Sequence, residues 1–407
     1  MNRDIALFVG YRIASRLYFH LPVLFLYFYT LEFGVLPTVV LLAAYGGAIT
    51  VCSEAGAWLS RYLSKKYVVM VGETLKAANV VLILAGTQPG HTSFWIPLVG
   101  QIVGGCGFAI AISTDSGLLR TITESGGNAL FGKVQARSQT LMFVATLVSG
   151  VTGALLYANS SDWVFLASLA ANVAAILLMF LIGTDDAPHP APAAPVSGGP
   201  AAPPKWRLDP VRRAWVMFYA LSRAFTLAPF VAFMPYFFIS IGTDQVLFGA
   251  VLSLFTVFGI ISAQNVGKFL QRYGVRTLGL ATVGCMVGGM ALFGFSPVFA
   301  ANGIDYFVVG LAAMALFGLG SGGIRPVALQ NLELGGVPGP ARPGVLSQME
   351  REYGIWNMGL MLAGGYVMGA LGFTAMMQWL VVGYLAAVGF LALTFARGTP
   401  RTQEKPA

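Results

Sequence analysis

Charge is what this sequence lacks. Only 10% of its residues are Asp, Glu, Lys or Arg, against roughly 25% in a soluble domain. A chain so poor in charge cannot cover its surface for water, which excludes an ordinary soluble globular protein. Histidine and cysteine are scarce as well, at three each. Cys52, Cys106 and Cys285 sit singly in apolar runs, with no CxxC pair, so they read as packing residues rather than as a disulfide framework or metal site. His20, His91 and His189 are scattered over a helix, an outer loop and a linker. They form no nucleophile–base cluster, so neither metal nor cofactor is expected. A non-transporting membrane enzyme or sensor is left as the remote alternative. No Walker A phosphate loop occurs, which excludes direct drive by ATP.

What the sequence has is apolar length. It is 57% hydrophobic, with a mean hydropathy of +0.74. Runs such as Trp163–Ile182 and Leu371–Phe395 are long and unbroken. Crossing the hydrocarbon core takes ~20 apolar residues in a helix. Barrel strands would be short and alternating instead. The chain is therefore expected to be an all-α membrane protein. Twelve spans are predicted, near 5–30, 35–59, 68–86, 94–120, 132–158, 162–183, 213–240, 245–270, 275–297, 303–331, 346–371 and 374–396. The first follows a short basic start, holds Arg12, Arg16 and His20, and has no small-residue cleavage site. It is read as a retained span rather than a removable signal.

The net charge of +8 is explained by membrane orientation rather than by nucleic-acid binding. Even-numbered loops hold the basic residues: Arg61, Lys65 and Lys66; Arg120, Lys133 and Arg137; Lys205, Arg207, Arg212 and Arg213; Lys268, Arg272 and Arg276; Arg342 and Arg351. The ends add Arg3, Arg397, Arg401 and Lys405. Odd-numbered loops hold no Lys or Arg, only Glu32, His91, Asp162, Asp244 and Asp305. Positive-inside bias then places both termini in the cytoplasm. Residues 184–212 are rich in Pro, Ala and Gly and read as a cytoplasmic linker. They divide the chain into an N-terminal six-helix bundle (1–183) and a C-terminal one (213–397), followed by a tail (398–407).

The two halves repeat each other. Ser15-Arg16 in span 1 matches Ser222-Arg223 in span 7, and in each case a proline, Pro22 or Pro229, follows the arginine by six residues. Tyr29 and Tyr236 match at the same offset. After span 2, Gly56, Arg61, Tyr62, Lys65 and Lys66 match Gly267, Arg272, Tyr273 and Arg276 after span 8. The two glycines are expected to allow close helix approach, and the basic residues to brace helix ends.

With these residues the chain resembles the major facilitator superfamily over its whole length. The loop 2–3 signature of that family is Gly-x-x-x-Asp-Arg-x-Gly-Arg-Arg/Lys. Gly56, Arg61 and Lys65-Lys66 correspond, but Ser60 stands in place of the acid that helps latch the outward-facing state. Gly104-Gly105-Cys106-Gly107 in span 4 is similar to a second motif, without its arginine. Gly150-Val151-Thr152-Gly153 in span 5 half resembles the antiporter motif, without its proline. The resemblance implies two pseudo-symmetric six-helix bundles and a central cavity lined by spans 1, 4, 7 and 10.

Ionisable residues fall in those four spans. An ionisable group at mid-span is costly and suggests a water-lined cavity. Arg12, Arg16, Arg223 and Arg325 stand there against Asp115 alone. Unpaired buried arginines call for an anion, and guanidinium grips carboxylate or phosphate with two hydrogen bonds. The expected cargo is therefore a small organic anion or zwitterion. Arg16, Arg223 and Arg325 are candidate binders, and Tyr11, Tyr18, Tyr27, Tyr219, Tyr236 and Trp356 could meet an apolar portion. The competing reading has Arg16 and Arg223 neutralised by Asp115 and backbone carbonyls. Asp115 and Arg325 are expected to pair or gate, Arg12 to snorkel or gate, and Glu73 to pair with Lys76. Glu54 reads as a cytoplasmic brace, and Glu350 as interfacial. His20 and Asp115 are candidates for proton coupling. A multidrug efflux pump is the second reading. A monomer in a bacterial inner membrane is expected.

Overall fold

The computed structural model describes residues 3–183, 208–332 and 342–398. All regular structure among them is helical. Most of the expected linker (184–207, with His189, Lys205 and Arg207) and the tail from 399 (with Arg401 and Lys405) lie outside the described residues.

Among the described residues, eight helices are long and apolar enough to cross a membrane: α5 (Lys65–Gly86), α6 (Trp95–Ile122), α7 (Gly127–Asn159), α8 (Ser161–Phe180), α9 with α10 (Pro210–Ser240), α11 (Gln245–Gly294), α13 (Tyr306–Asn331) and α14 (Arg342–Gly398). Two of them make two crossings each. Gly274 (φ 77°) breaks α11 and Gly372 (φ 84°) breaks α14, and only glycine enters this left-handed region without strain. The first two expected spans fail a length test because each is interrupted. Span 1 is α1 (Arg3–Ala14), an irregular stretch and α2 (Leu24–Thr30); span 2 is α3 (Val35–Val51) and α4 (Ala55–Leu59). Counted this way the twelve crossings are all present, with ends close to those read from hydropathy. Their outward faces expose large apolar side chains such as Leu280, Tyr366 and Phe390, as contact with lipid requires.

One boundary moves. The linker was expected to run to 212, but α9 starts at Pro210. The Asp209 carboxylate accepts from the Arg212 N–H at 2.8 Å, and proline at the first helical position is already set for the turn.

The prolines shared by the repeat mark two breaks. Pro22 cannot donate to the Tyr18 carbonyl, and span 1 loses its helix from residue 15 to 20. In span 7, Pro229–Phe233 form a π-turn before α10 (Met234–Ser240). Backbone freed at mid-membrane persists only where neighbouring groups satisfy it.

The chain packs as two units. One unit contains the six N-terminal spans together with Phe230–Leu254 and Met361–Gly369; the other contains α9, Phe255–Leu360 and the chain from Ala370. Inside the first unit, α5 and α6 come into backbone contact: a Cβ on Gly72 would lie 2.7 Å from the Gly107 carbonyl. The ends of the helices nearest the odd-numbered loops close a seam there. Tyr29 meets its repeat partner Tyr236 edge-on at 5.8 Å, and Phe25 meets Tyr236 at 6.5 Å. A Cβ on Gly249 would lie 2.8 Å from that of Ala154, and one on Gly365 2.9 Å from Val39.

Candidate functional site

The break in span 1 places three polar residues in three different situations. Arg12 ends α1 with 2% of its surface exposed. Its Nε donates to Asp115 Oδ2 at 3.1 Å, and its Nη2 lies 3.0 Å from the same oxygen. Nη1 donates to Gln135 (2.8 Å) and Ser138 (3.0 Å), and Nη2 to Ser116 (3.1 Å). Every guanidinium nitrogen is used. Two expectations are corrected here. Arg12 does not snorkel, because its acceptors converge on it in the interior. Asp115 is held by Arg12 rather than by Arg325, because one turn of α1 brings Arg12 against α6.

A second buried pair lies beside it. Lys76 Nζ is 2.6 Å from Glu73 Oε2, as the i, i+3 spacing predicts. Glu73 also accepts from the Tyr11 hydroxyl at 3.3 Å. Lys76 reaches across to donate to the Ser15 carbonyl (3.2 Å), which the break in span 1 has freed, and its ammonium lies 5.1 Å from the Tyr18 ring. Tyr11 is thus a core residue with an occupied hydroxyl, while the buried Tyr18 hydroxyl has no hydrogen-bond partner.

Arg16 lies inside the break, half-buried. Its guanidinium rests 4.9 Å above the Phe108 ring of α6. It makes no hydrogen bond and no ion pair with the described residues. Aromatic contact holds such a group in place while leaving its donors open. His20 closes the break: its Nδ1 is 2.8 Å from Ser168 Oγ and its ring stacks on Phe165. The irregular segment is seated on α7, where a Cβ at Gly153 would lie 2.9 Å from the Phe19 carbonyl carbon. The span 5 glycine motif therefore receives the unwound backbone of span 1.

The second unit holds the repeat partner of Arg16. Arg223 Nη1 donates to both oxygens of Glu350, at 2.9 and 2.7 Å, and to the Tyr219 hydroxyl. Tyr219 donates to Glu350 Oε1 at 2.7 Å. The Tyr353 ring lies under the guanidinium at 4.4 Å. This pair is partly open, with side chains 33% and 44% exposed. The sequence reads Glu350 as interfacial; α14 brings it against α9, where it pairs with Arg223. Below it, Tyr384 donates to Ser222 at 3.0 Å in a packed core.

The remaining candidates scatter. Arg325 is exposed on α13 and within electrostatic reach of Tyr219. Trp356 is 40% exposed. Tyr27 is buried, with its hydroxyl 2.6 Å from that of Thr87. Tyr236 belongs to the aromatic seam. Glu54 is exposed just before α4. Gly56 packs as expected, since a Cβ there would lie 2.8 Å from both the Ile110 carbonyl and Thr114 Oγ1. Gly267 does not, because nothing lies within 4 Å of its added Cβ. Lys65 reaches Thr121 at 3.2 Å. Arg61, Arg272 and Arg276 are exposed, with Arg272 over its neighbour Tyr273. Glu350, Lys76 and Tyr353 were missed as site residues. The signal for Glu350 was its acidity inside a span otherwise rich in Met, Gly and Leu.

Comparison places this fold among known carriers. No curated protein matches the sequence. A solved nucleoside transporter, NupG, superposes with TM-score 0.73 at 14% identity, covering 97% of this chain and 99% of that one. A D-xylose–proton symporter gives TM-score 0.70 at 13% identity, covering 100% and 99%. A POT family transporter in complex with 5-aminolevulinic acid gives 0.70 at 11% identity, covering 98% and 96%. At these identities the structural likeness shows the fold. The sequence itself matches the Major Facilitator Superfamily over residues 17–349. With twelve crossings and that match over most of its length, this chain belongs to the major facilitator superfamily of membrane transporters.

Proposed function

We propose that the chain is a secondary transporter that moves a small organic anion or zwitterion by alternating access, coupled to protons. It works as a monomer in a bacterial inner membrane, with both termini cytoplasmic and the linker joining two six-span halves. One observation carries the choice of cargo: Arg16 stands at the interrupted middle of span 1 with its donors unclaimed. A half-buried guanidinium with no ion-pair partner in contact is costly to hold, and Asp115 and Glu73 act on Arg16 only at longer range. An anionic cargo would remove that cost only while bound, which is what a transport site needs. Arg223, in the other unit, is the second basic candidate. Tyr18, with an unused hydroxyl, and Phe108 offer surface to a less polar portion. Midplane sites at broken helices are a recurring transporter design. The same fold in a POT family transporter holds 5-aminolevulinic acid, an amino-carboxylate of the proposed kind. Of the coupling candidates, His20 and Asp115 are buried and bonded to Ser168 and Arg12.

The test is a thermal-shift screen of purified protein against carboxylates, phosphates, amino acids and iron-chelating metabolites, followed by vesicle transport of the hits. A specific ligand stabilises the folded form by mass action. Anionic or zwitterionic hits are expected, and Arg16→Ala should lower their transport at least ~10-fold, the effect of losing about 1.4 kcal/mol. Hits confined to lipophilic cations, unaffected by Arg16→Ala, would favour a multidrug pump instead.

A further inference from the structure

We infer that Cys52 and Cys106 form a thiol pair that an oxidant joins by a disulfide, fixing the interrupted end of span 2 onto span 4 until a reductant releases it. The pairing does not depend on which cargo is carried.

Nothing in the spacing of these residues pairs them; the packing of the first unit does. Span 2 loses its helix between Val51 and Ala55, and Cys52 is the residue at which α3 stops. Span 4 runs past it unbroken as α6. The two spans are in backbone contact on both sides of the break. A Cβ on Gly105 would collide with the Tyr45 carbonyl oxygen and lie 2.8 Å from that of Ala48, and one on Gly56 would lie 2.8 Å from the Ile110 carbonyl oxygen. Cys52 stands one turn from both Ala48 and Gly56, and Cys106 lies between Gly105 and Ile110. The two thiols accordingly share a hydrogen bond. A disulfide needs Cα atoms ~4.4–6.8 Å apart, a separation that helices in backbone contact offer. Cys285 belongs to α11 in the other unit.

The chemistry balances with one two-electron oxidant. Both thiols are half-buried, and Val51 beside Cys52 is exposed, as a lipid-facing residue is. A thiol in apolar surroundings reacts slowly with oxidants confined to water, so the fitting oxidant is a small neutral hydroperoxide that dissolves in the bilayer. Cys52 Sγ, two residues from the exposed Glu54, attacks the peroxide. The O–O bond breaks, an alcohol leaves and the sulfur becomes a sulfenic acid. Cys106 Sγ then attacks that sulfur, the S–S bond forms and water leaves. The two thiol hydrogens end in the alcohol and the water, and the two electrons end on the peroxide. A dithiol reductant reverses the bond through a mixed disulfide. In a reducing compartment such a bond is transient and responds to oxidant. Its mechanical effect follows from its place. At the break α3 and α4 are joined by a tight turn, with the Ala55 N–H donating to the Cys52 carbonyl at 3.0 Å, rather than by a helical ladder. The disulfide removes the freedom of that joint and of the basic segment behind it.

The experiment uses the full-length purified chain in lipid nanodiscs, with cumene hydroperoxide as oxidant and dithiothreitol as reductant. Thiols counted in denaturant should fall from three to one on oxidation. Peptide mapping should find Cys52 joined to Cys106 within one chain and Cys285 still reduced. Amide exchange over residues 53–63 should slow about tenfold on oxidation and recover with dithiothreitol. Cys52→Ala and Cys106→Ala should each keep the faster exchange after oxidation, and Cys285→Ala should behave as wild type. Three surviving thiols, a sulfinic acid at Cys52 or Cys106 in place of a disulfide, or a bond between two chains overturns the inference. So does a disulfide that leaves exchange over 53–63 unchanged, because the bond then fixes nothing. Should an alanine variant fail to fold, phenylarsine oxide carries the test on wild type, since it bridges two neighbouring thiols with loss of one water. It must protect Cys52 and Cys106 from alkylation and spare Cys285; if it leaves that pair open to alkylation, the pairing falls.

Discussion

The two halves place a carboxylate against different members of the same pair of positions. Arg12 and Arg16 in span 1 correspond to Tyr219 and Arg223 in span 7, four residues apart in each. In the N-terminal half the acid, Asp115, meets the first position and is fully enclosed with Arg12. Arg16 is left without an ion pair among the described residues, with Asp115 and Glu73 acting on it at longer range. In the C-terminal half the acid, Glu350, meets the second position and stays partly open. A duplicated scaffold thus holds one saturated, buried pair and one unsaturated, accessible pair. The first has the geometry of a structural clamp, and the second is open on one side.

The sharpest way to break this comparison is the same truncation in both halves. Asp115→Ala leaves a guanidinium enclosed without its counter-charge and should cost ~3–5 kcal/mol, read as a large drop in thermal midpoint or loss of folded protein. Glu350→Ala removes a partly exposed partner and should cost ~1 kcal/mol or less. Equal losses would mean that both pairs are clamps.

A smaller effect comes from the seam near the odd-numbered loops, where Gly249 presses on the backbone of span 5. Gly249→Ala should weaken the closed seam by ~1–3 kcal/mol, seen as faster labelling of Tyr236→Cys by an impermeant thiol reagent. Gly150→Ala has more room, with Ser253 Oγ at 3.3 Å from the added Cβ, and should stay within ~0.5 kcal/mol.

The smallest contrast reverses sign. Gly56→Ala meets Ile110 and Thr114 and should destabilise. Gly267→Ala meets open space on an exposed helix and should stabilise by ~0.5–1 kcal/mol, because alanine is the better helix former. Both can be read from thermal midpoints. Matching signs would restore the symmetry that the loop motifs suggest.

Much of the fold was legible in the sequence, because hydropathy and length decide what crosses a bilayer. The spans, with their boundaries near 270–275 and 371–374, and the Ser-Arg repeat all needed only one-dimensional information. The ion pairs did not follow, apart from Glu73 with Lys76, whose partners lie one turn apart. Arg12 finds Asp115 across 103 residues and Arg223 finds Glu350 across 127. Choosing those partners requires the rotation of each helix about its axis, which hydropathy does not fix. The sequence reads Pro22 only as part of the repeat, and the break it sits beside is received by Lys76 and Gly153 from other spans.

The seam has a consequence for energetics. Its named contacts are rings, methyl groups and glycine backbone, with no formal charge among them. Parting them exposes apolar surface and costs about the same in dilute or concentrated salt, and in acid or neutral buffer. Contacts of this kind act in effect as a spring of fixed stiffness. Any sensitivity of the seam to salt or acid must reach it from polar groups elsewhere in the chain.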